Sequence, residues 1–348
     1  MIFTKSLKDL ALNISEAEYR DYPALSYSIL ARYEKEGFSS IPHLYDKQEG
    51  EALTFGSVVD TLITDHDKFK EKFVIADIKL PSDSLIAITQ ALLNDTTYKT
   101  LEEVPDNIVL DVCNNFEYCI KMSDAVRIKK VREGCTDYFN SLRYCEGKTV
   151  ITYDVYQKAL STVNTLKTSP VSSKYLRNTT DDIEFLYQQK FIATLDGLDV
   201  KCMFDLLIIN HSKKVIIPID LKTTSIHEYD FQRKFIENRY DIQSRLYYRI
   251  LTTVLSKDSY FKDFKILNFR FLVINKDSLN PMIFEDDRCY YKGDIELNFN
   301  SGYNKVLRDP VTIGIELKHY LDTNASVPDD LDTSKPINLY ERILKNGQ

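Results

Sequence analysis

Apolar residues recur at two different periods along this 348-residue chain, and the change between them divides it. Up to about residue 75, short amphipathic runs predict helices. Pro23 precedes Leu25-Ser26-Tyr27-Ser28-Ile29-Leu30, where a serine can cap a helix start, and Ala52 to Ile63 forms a second apolar run around Gly56. From Ser82 to about Leu176 the spacing stays mostly helical, as in Ile86, Leu92 and Leu93 and then Phe116, Ile120 and Val126, which predicts a helical insertion or lobe over residues 78–178. From Glu184 the period falls to two. Phe185 to Leu195, Val200 to Ile209 and Val215 to Leu221, separated by Asp196-Gly197 and by Asn210 to Lys214, predict a three-stranded meander. Helical spacing returns at Phe231, Phe235, Ile242, Leu246, Ile250 and Val254. Ile266 to Ile274 reads as a late strand and Ile315 to Leu321 as a helix, while charge and Pro328 mark a peripheral end. The expected fold class is α/β: a mixed central sheet flanked by helices within residues 180–300, plus the helical insertion, all in a single domain over residues 1–348.

Composition narrows the function classes. Forty-five basic against 52 acidic side chains give a net charge of -7, which argues against generic coating of nucleic acid but leaves room for a locally basic channel. Apolar runs such as Val215 to Ile219 fall far short of the roughly 20 residues of a membrane span, and the opening MIFTKSLKDLALNISEAEY has no apolar core of a signal peptide. A cytoplasmic protein without a membrane partner is expected. Cys113, Cys119, Cys135, Cys145, Cys202 and Cys289 are scattered with no CxxC pair, so neither a zinc site nor a disulfide framework is expected. No GxxxxGK[ST], GxGxxG or HExxH motif is present, which leaves nucleotide-driven and zinc-protease chemistry unsupported.

The meander concentrates the chemistry. An even-length turn centred on His211 and Ser212 would pair Asp205 with Pro218 and make Asp220 its same-face diagonal neighbour, roughly 7 Å away. Alternation puts Pro218, Asp220 and Lys222 on one strand face, so the lysine points to the side of both acids. Clustered carboxylates repel unless a cation neutralises them, and a hard divalent ion prefers such oxygen ligands. An acid-x-Lys tripeptide alone is cheap, for Asp77/Lys79, Asp263/Lys265 and Glu316/Lys318 repeat it, and exposed pairs of this kind are nearly neutral. Asp220/Lys222 differs in ending an apolar strand that follows the acid-bearing run CMFDLLII.

Met203-Phe204-Asp205-Leu206 followed by Ile217-Pro218-Ile219-Asp220-Leu221-Lys222-Thr223-Thr224 resembles the active-site hairpin of the PD-(D/E)xK nuclease superfamily, in its phage exonuclease branch with lambda exonuclease and the exodeoxyribonuclease VIII nuclease domain. Three further stretches match in order. Ala52-Leu53-Thr54-Phe55-Gly56-Ser57-Val58-Val59-Asp60 resembles the helix in which that branch places Gly, three residues and a metal-ligating His, with Asp60 standing at the ligand position. Tyr240-Asp241-Ile242-Gln243-Ser244-Arg245-Leu246-Tyr247 resembles its Gln-x-x-x-Tyr helix, and Leu25-Ser26-Tyr27-Ser28 its serine-rich opening. The likeness covers residues 20–75 and 180–255.

The resemblance implies a restriction-endonuclease-like core and a metal-dependent exonuclease that hydrolyses linear double-stranded DNA in phage recombination or DNA processing, in the host cytoplasm if phage-encoded. It implies that Asp60, Asp205 and Asp220, with the Leu221 carbonyl, hold Mg²⁺ or Mn²⁺, that Lys222 orients and helps deprotonate water, and that Gln243 and Tyr247 position the DNA backbone. Relatives form rings and work with single-strand annealing proteins, so homo-oligomers and such a partner are implied as well. Some relatives carry an iron–sulfur cluster on four cysteines; the cysteine spacing here predicts none. Glu184 resembles an acidic position some relatives use near the metal, although the Asp196-Gly197 turn would set it roughly 13 Å from the level of Asp205. Lys121, Arg127, Lys129, Lys130 and Arg132 form a basic run on the insertion, which is either a solvated helix face or a phosphate-contacting channel wall. Two readings compete with the exonuclease: a nucleic-acid-binding protein of the same fold without turnover, which the Asp60 replacement leaves open, and an endonuclease of the same superfamily.

Overall fold

The computed structural model describes residues 4–323 apart from residues 47, 49, 77, 96, 146, 178, 179 and 300–303, so Asp77 and Pro328 lie outside the described residues. In chain order the helices are α1 (Glu16–Asp21), α2 (Tyr27–Glu36), α3 (Glu51–Thr64), α4 (Phe69–Lys72), α5 (Asp83–Leu93), α6 (Asp106–Asn115), α7 (Asp124–Tyr144), α8 (Tyr153–Thr168), α9 (Phe231–Glu237), α10 (Tyr240–Ser256) and α11 (Pro310–Thr323). The strands are β1 (Leu25–Ser26), β2 (Phe73–Ala76), β3 (Thr149–Thr152), β4 (Ile183–Leu195), β5 (Leu198–Asn210), β6 (Val215–Thr224), β7 (Lys265–Ile266), β8 (Phe269–Asn275), β9 (Pro281–Asp286), β10 (Ile295–Asn298) and β11 (Asn304–Leu307).

β5 is the spine of a seven-stranded mixed sheet. β4 runs antiparallel to it along one edge; on the other edge its start takes β1 in parallel and its end pairs antiparallel with β6. β6 then runs parallel to β7 and β8, and β9 closes the sheet antiparallel to β8. Helices cover both faces. Leu30, Ile242, Leu246, Ile250 and Leu317 of α2, α10 and α11 bury against Val200, Phe204, Leu207 and Phe271. Phe55, Val58, Val59, Ala159 and Val163 of α3 and α8 bury against Leu206, Ile208, Ile219 and Leu272 on the opposite face. The α/β class with a mixed sheet flanked by helices is therefore present.

The two hairpin turns set the register. Asp196 and Gly197 take left-handed φ of 51° and 81°, as a two-residue primed turn demands, and pair Leu195 with Leu198. That register runs to Gln189 opposite Phe204, skips a step at Gln188 and Asp205, and resumes with Tyr187 opposite Leu206. Gln188 adopts φ 53°, and both strands exchange faces there: Cys202 and Phe204 belong to the layer under α10, Leu206 and Ile208 to the layer under α3. The second turn corrects the expectation. The loop spans residues 211–214 because the Asn210 side chain accepts bonds from Lys213 N–H at 2.8 Å and Ser212 Oγ at 3.0 Å, and Lys214 closes it at φ 51°. Asn210 then faces Val215 and Leu206 faces Ile219, so the same register carried one residue further sets Asp205 directly across from Asp220, not from Pro218.

Other elements depart from the sequence pattern. Phe116, Ile120 and Val126 are exposed around the turn between α6 and α7, where Glu117 and Cys119 are left-handed; the lobe's core is instead Ile88, Leu92, Val109, Val131, Cys135 and Phe139. Within the span of the expected insertion, α8 leaves the lobe and lies against α3. Ser26 precedes α2 without a side-chain cap bond, its hydroxyl meeting Ser28 Oγ at 3.0 Å. Among the described residues no helix is long and apolar enough to cross a membrane.

Candidate active site

The site forms where α3, the irregular step of β5 and the end of β6 meet. Gly56 lets α3 come close: an added Cβ would stand 3.3 Å from Thr223 Oγ1 of β6. One turn on, Asp60 reaches Gln188, whose Nε2 donates to both carboxylate oxygens at 3.0 Å. Asp205 Oδ2 accepts the Leu221 backbone N–H at 2.8 Å, which ties β5 to β6 beside the face switch. Asp220, 3 % exposed, lies 2.8 Å from Lys222 Nζ through Oδ2 and accepts Gln243 Nε2 at 2.5 Å through Oδ1. Gln243 Oε1 is buried without a hydrogen-bond partner among the described residues. The Lys222 ammonium also sits over the Tyr240 ring, 4.7 Å from its centroid.

Asp60 and Asp205 both feel the charge of Asp220. Burial pushes the Asp60 carboxyl up to about 7; Lys72 pulls it down, Asp220 and Glu16 push it further up, and Gln188 opposes them. Asp205 is driven well above the usual carboxylate range by burial, then by Asp220 and Asp60, against the pull of Lys222 and the Leu221 amide. Burial disfavours the Lys222 ammonium, but Asp220, Tyr240, Tyr27 and Asp205 together outweigh it and raise its proton affinity. Tyr247 is buried with its ring 5.1 Å from Phe204 in an edge contact, and burial raises its phenol; its placement is that of a wall behind the acids. A cavity of about 10 Å³, room for roughly one water, is lined by Asp60, Asp205, Leu221, Thr64 and Tyr187.

The donor chemistry, oxygen only and electrostatically frustrated, fits a hard divalent cation at Asp60, Asp205, Asp220 and the Leu221 main chain. As the side chains stand, however, no group of three His, Cys, Asp or Glu among the described residues is gathered closely enough to hold a metal ion. Asp220 is turned to Lys222 and Gln243. Of the other acid-x-Lys copies, Lys318 pairs with Asp322 at 2.8 Å while Glu316 accepts from Tyr33 and Arg308, so that copy is not a local pair.

Two expectations are corrected by placement. Glu184 is not at the site: it faces Ile209, and its carboxylate accepts from Ser6 Oγ, from Leu7 N–H at 3.2 Å and meets His211 Nε2 at 3.2 Å, fastening the N-terminal segment to the sheet. In the basic run, Arg127 is buried on the Tyr118 carbonyl at 2.9 Å, and Arg132 ties the Leu101 and Val104 carbonyls at 2.8 Å and Asp106 at 2.5 Å. Both serve the lobe's interior. Lys121, Lys129 and Lys130 are exposed, Lys129 standing 3.6 Å from Glu133. Lys72 was missed altogether, since nothing in its spacing singles it out. The part of Gln188 follows from the left-handed step that a register argument alone does not reveal.

No family model and no curated protein matches this sequence. Among solved structures, a crystal structure of a chain from Eubacterium rectale named "Putative exonuclease" is similar at 12% identity and a TM-score of 0.43, covering 97% of this chain and 100% of that one, a likeness too loose to carry an argument.

Proposed function

We propose that this chain is a metal-dependent deoxyribonuclease of exonuclease type, hydrolysing phosphodiester bonds of linear double-stranded DNA, with Asp60, Asp205, Asp220 and Lys222 as its catalytic centre. One observation supports it most: three aspartates from three separate elements lie close enough that Asp220 raises the proton affinity of both Asp60 and Asp205, with the Lys222 ammonium on Asp220. Acids in that state cost stability and persist where function requires them. Asp60, Asp205 and Asp220, with the Leu221 carbonyl, would hold Mg²⁺ or Mn²⁺, which when bound supplies Lewis-acid polarisation of a phosphate. Lys222, paired with Asp220, orients the attacking water and offsets charge developing on the phosphate. Gln243 fixes the Asp220 carboxylate and leaves its free carbonyl oxygen to accept from water or substrate. The exposed Lys121, Lys129 and Lys130 are the lobe's remaining candidates for phosphate contact.

The test is hydrolysis of end-labelled linear duplex and of covalently closed circles in Mg²⁺ and Mn²⁺ by the wild type, Asp220→Ala and Lys222→Ala. Release of nucleotides from ends, lost by on the order of 10³-fold in either variant, is the expected result. Undiminished activity in both variants would sink the assignment, and cutting of circles would turn it to an endonuclease. One observation favours a second reading, a nucleic-acid-binding protein without turnover: Asp220 is already engaged by Lys222 and Gln243, and no three acids are gathered as ligands among the described residues. Such a protein would retain duplex DNA in a mobility-shift assay and release no nucleotide in either metal.

A further inference from the structure

Tyr240 is the first residue of α10, and the start of that helix is pinned. Arg239 before it takes a left-handed φ of 54°, with its buried guanidinium on Asp241 at 2.9 Å and Glu34 at 2.6 Å. The Tyr240 ring is walled by Phe231, stacked at 5.8 Å and 22°, by Phe271 at 5.8 Å and 28°, and by Tyr27 at 6.2 Å, while Asn238 Nδ2 donates to its hydroxyl at 3.2 Å. Phe271 is in turn the β8 partner of Asp220 in the parallel ladder, so ring and acid rest on one residue. The Lys222 ammonium lies 4.7 Å from the ring centroid.

We propose that Tyr240 is a positioning residue for hydrolysis: its π face holds the Lys222 ammonium against Asp220 in the orientation the reaction uses. The inference rests on the reading of Asp220 and Lys222 as catalytic. An ion pair alone leaves this lysine loosely directed, because its three N–H donors are equivalent and its stem has four rotatable bonds. The Lys222 side chain is 22% exposed against 5% for Asp220, so it is the less confined partner of the pair. The ring quadrupole attracts the cation, and the aromatic wall holds the ring in place beneath it. The hydroxyl accepts from Asn238, and it is the ring face that meets the ammonium.

The experiment compares full-length wild type, Tyr240→Phe, Tyr240→Leu, Asp220→Ala and Lys222→Ala on linear duplex in Mg²⁺, with thermal melting of each. Tyr240→Phe keeps the π face and should stay within about 2-fold of wild-type kcat; Tyr240→Leu keeps the bulk and should lose about 10-fold in kcat with KM unchanged. In parallel, NMR of the lysine side chains should show the Lys222 ε-CH₂ protons shifted upfield by the ring in wild type and Tyr240→Phe and unshifted in Tyr240→Leu. Wild-type kcat in Tyr240→Leu, or an equal loss in both tyrosine variants, overturns the role while the inactivity of Lys222→Ala keeps the site's assignment standing. A fully active Lys222→Ala, or a wild type that hydrolyses no DNA, brings down the assignment and this role together.

Discussion

Gly56 of α3 and Thr223 of β6 approach so closely that a single added carbon would stand 3.3 Å from the threonine hydroxyl. That contact fixes the height of α3 over the sheet, and with it the distance from Asp60, one turn along, to the acids of the hairpin. Gly56→Ala needs a shift of only a few tenths of an ångström and should retain most activity. Gly56→Leu overfills the contact at a cost of about 1–3 kcal/mol and lifts Asp60 away. It should therefore lose activity out of proportion to its loss in melting temperature. Equal activity in Gly56→Leu and wild type would show that Asp60 is not needed where the helix puts it.

Arg132 and Lys130 are neighbours in a basic run, yet the structure gives them opposite parts. Arg132 satisfies two part-buried main-chain carbonyls of the lobe and pairs with the exposed Asp106, whereas Lys130 is exposed and makes no such bond to the main chain among the described residues. Removing a charged donor from carbonyls that are partly buried leaves them unpaired at about 1–3 kcal/mol. Arg132→Ala should lower the melting temperature by several degrees, and Lys130→Ala should leave it unchanged while weakening duplex binding and reducing its salt dependence. Calorimetry and mobility shifts at two salt concentrations separate the two; a destabilised Lys130→Ala would reverse the assignment.

The same contrast explains what the sequence can and cannot reveal. Period and turn chemistry sufficed for the β4–β5 hairpin, because Asp196-Gly197 admits one kind of turn and so dictates its register. They did not suffice for β5–β6, where side-chain bonds from Asn210 centre a four-residue loop on Ser212 and Lys213, one position later than expected, a local effect invisible to alternation. Asp220 and Lys222 keep the shared face that alternation gives them, whereas Asp205 sits at the face switch, in the cavity with Asp60 and Leu221. Asp205, Asp220 and Lys222 were legible, while the Gln188 step was not. Charge runs misled for a general reason: composition shows that an arginine is present but not whether a carbonyl beneath it already claims it, as happens at Arg127.

Lys201 of β5 offers a third check. It is 3% exposed, and its ammonium donates to the carbonyls of Tyr19, Arg20 and Tyr22 at 2.8, 2.7 and 2.8 Å, closing the C-terminus of α1. Burial lowers its proton affinity, with Asp21 opposing. Lys201→Met keeps the stem and strands three carbonyls, which should cost on the order of 2–4 kcal/mol and appear as faster proteolysis within residues 15–25. A melting temperature equal to wild type would mean that water replaces the ammonium at no cost.

Asp60 and Asp309 should drive stability in opposite directions along the pH axis. Burial, followed by Asp220 and Glu16, raises Asp60 from an ordinary 3.8 to about 7, so the folded chain keeps a proton that the unfolded chain releases. Its contribution is greatest below about pH 4, falls as pH rises towards 7 and is flat beyond, a change on the order of 1–3 kcal/mol once water reaching the site screens it. Burial also disfavours ionised Asp309, but the Arg249 hydrogen bond and charge outweigh it and hold that carboxyl below its usual range. Its contribution is complete above the unfolded value of about 4 and is lost as pH falls through the depressed one. Wild type should therefore be most stable on the acid side of neutrality. Asp60→Asn should reduce the decline between pH 4 and 7, leaving the share that the raised Asp205 carries, and melt higher than wild type at pH 8, and millimolar Mn²⁺ should narrow that gap by stabilising the wild type alone. Asp309→Asn leaves Arg245, which is fully buried, and Arg249 poorly compensated, and should cost about 3–5 kcal/mol at neutral pH with a flattened acid limb. Calorimetric melts from pH 3 to 9 decide the matter, and parallel curves for Asp60→Asn and wild type would show that Asp60 does not share the buried field of Asp220.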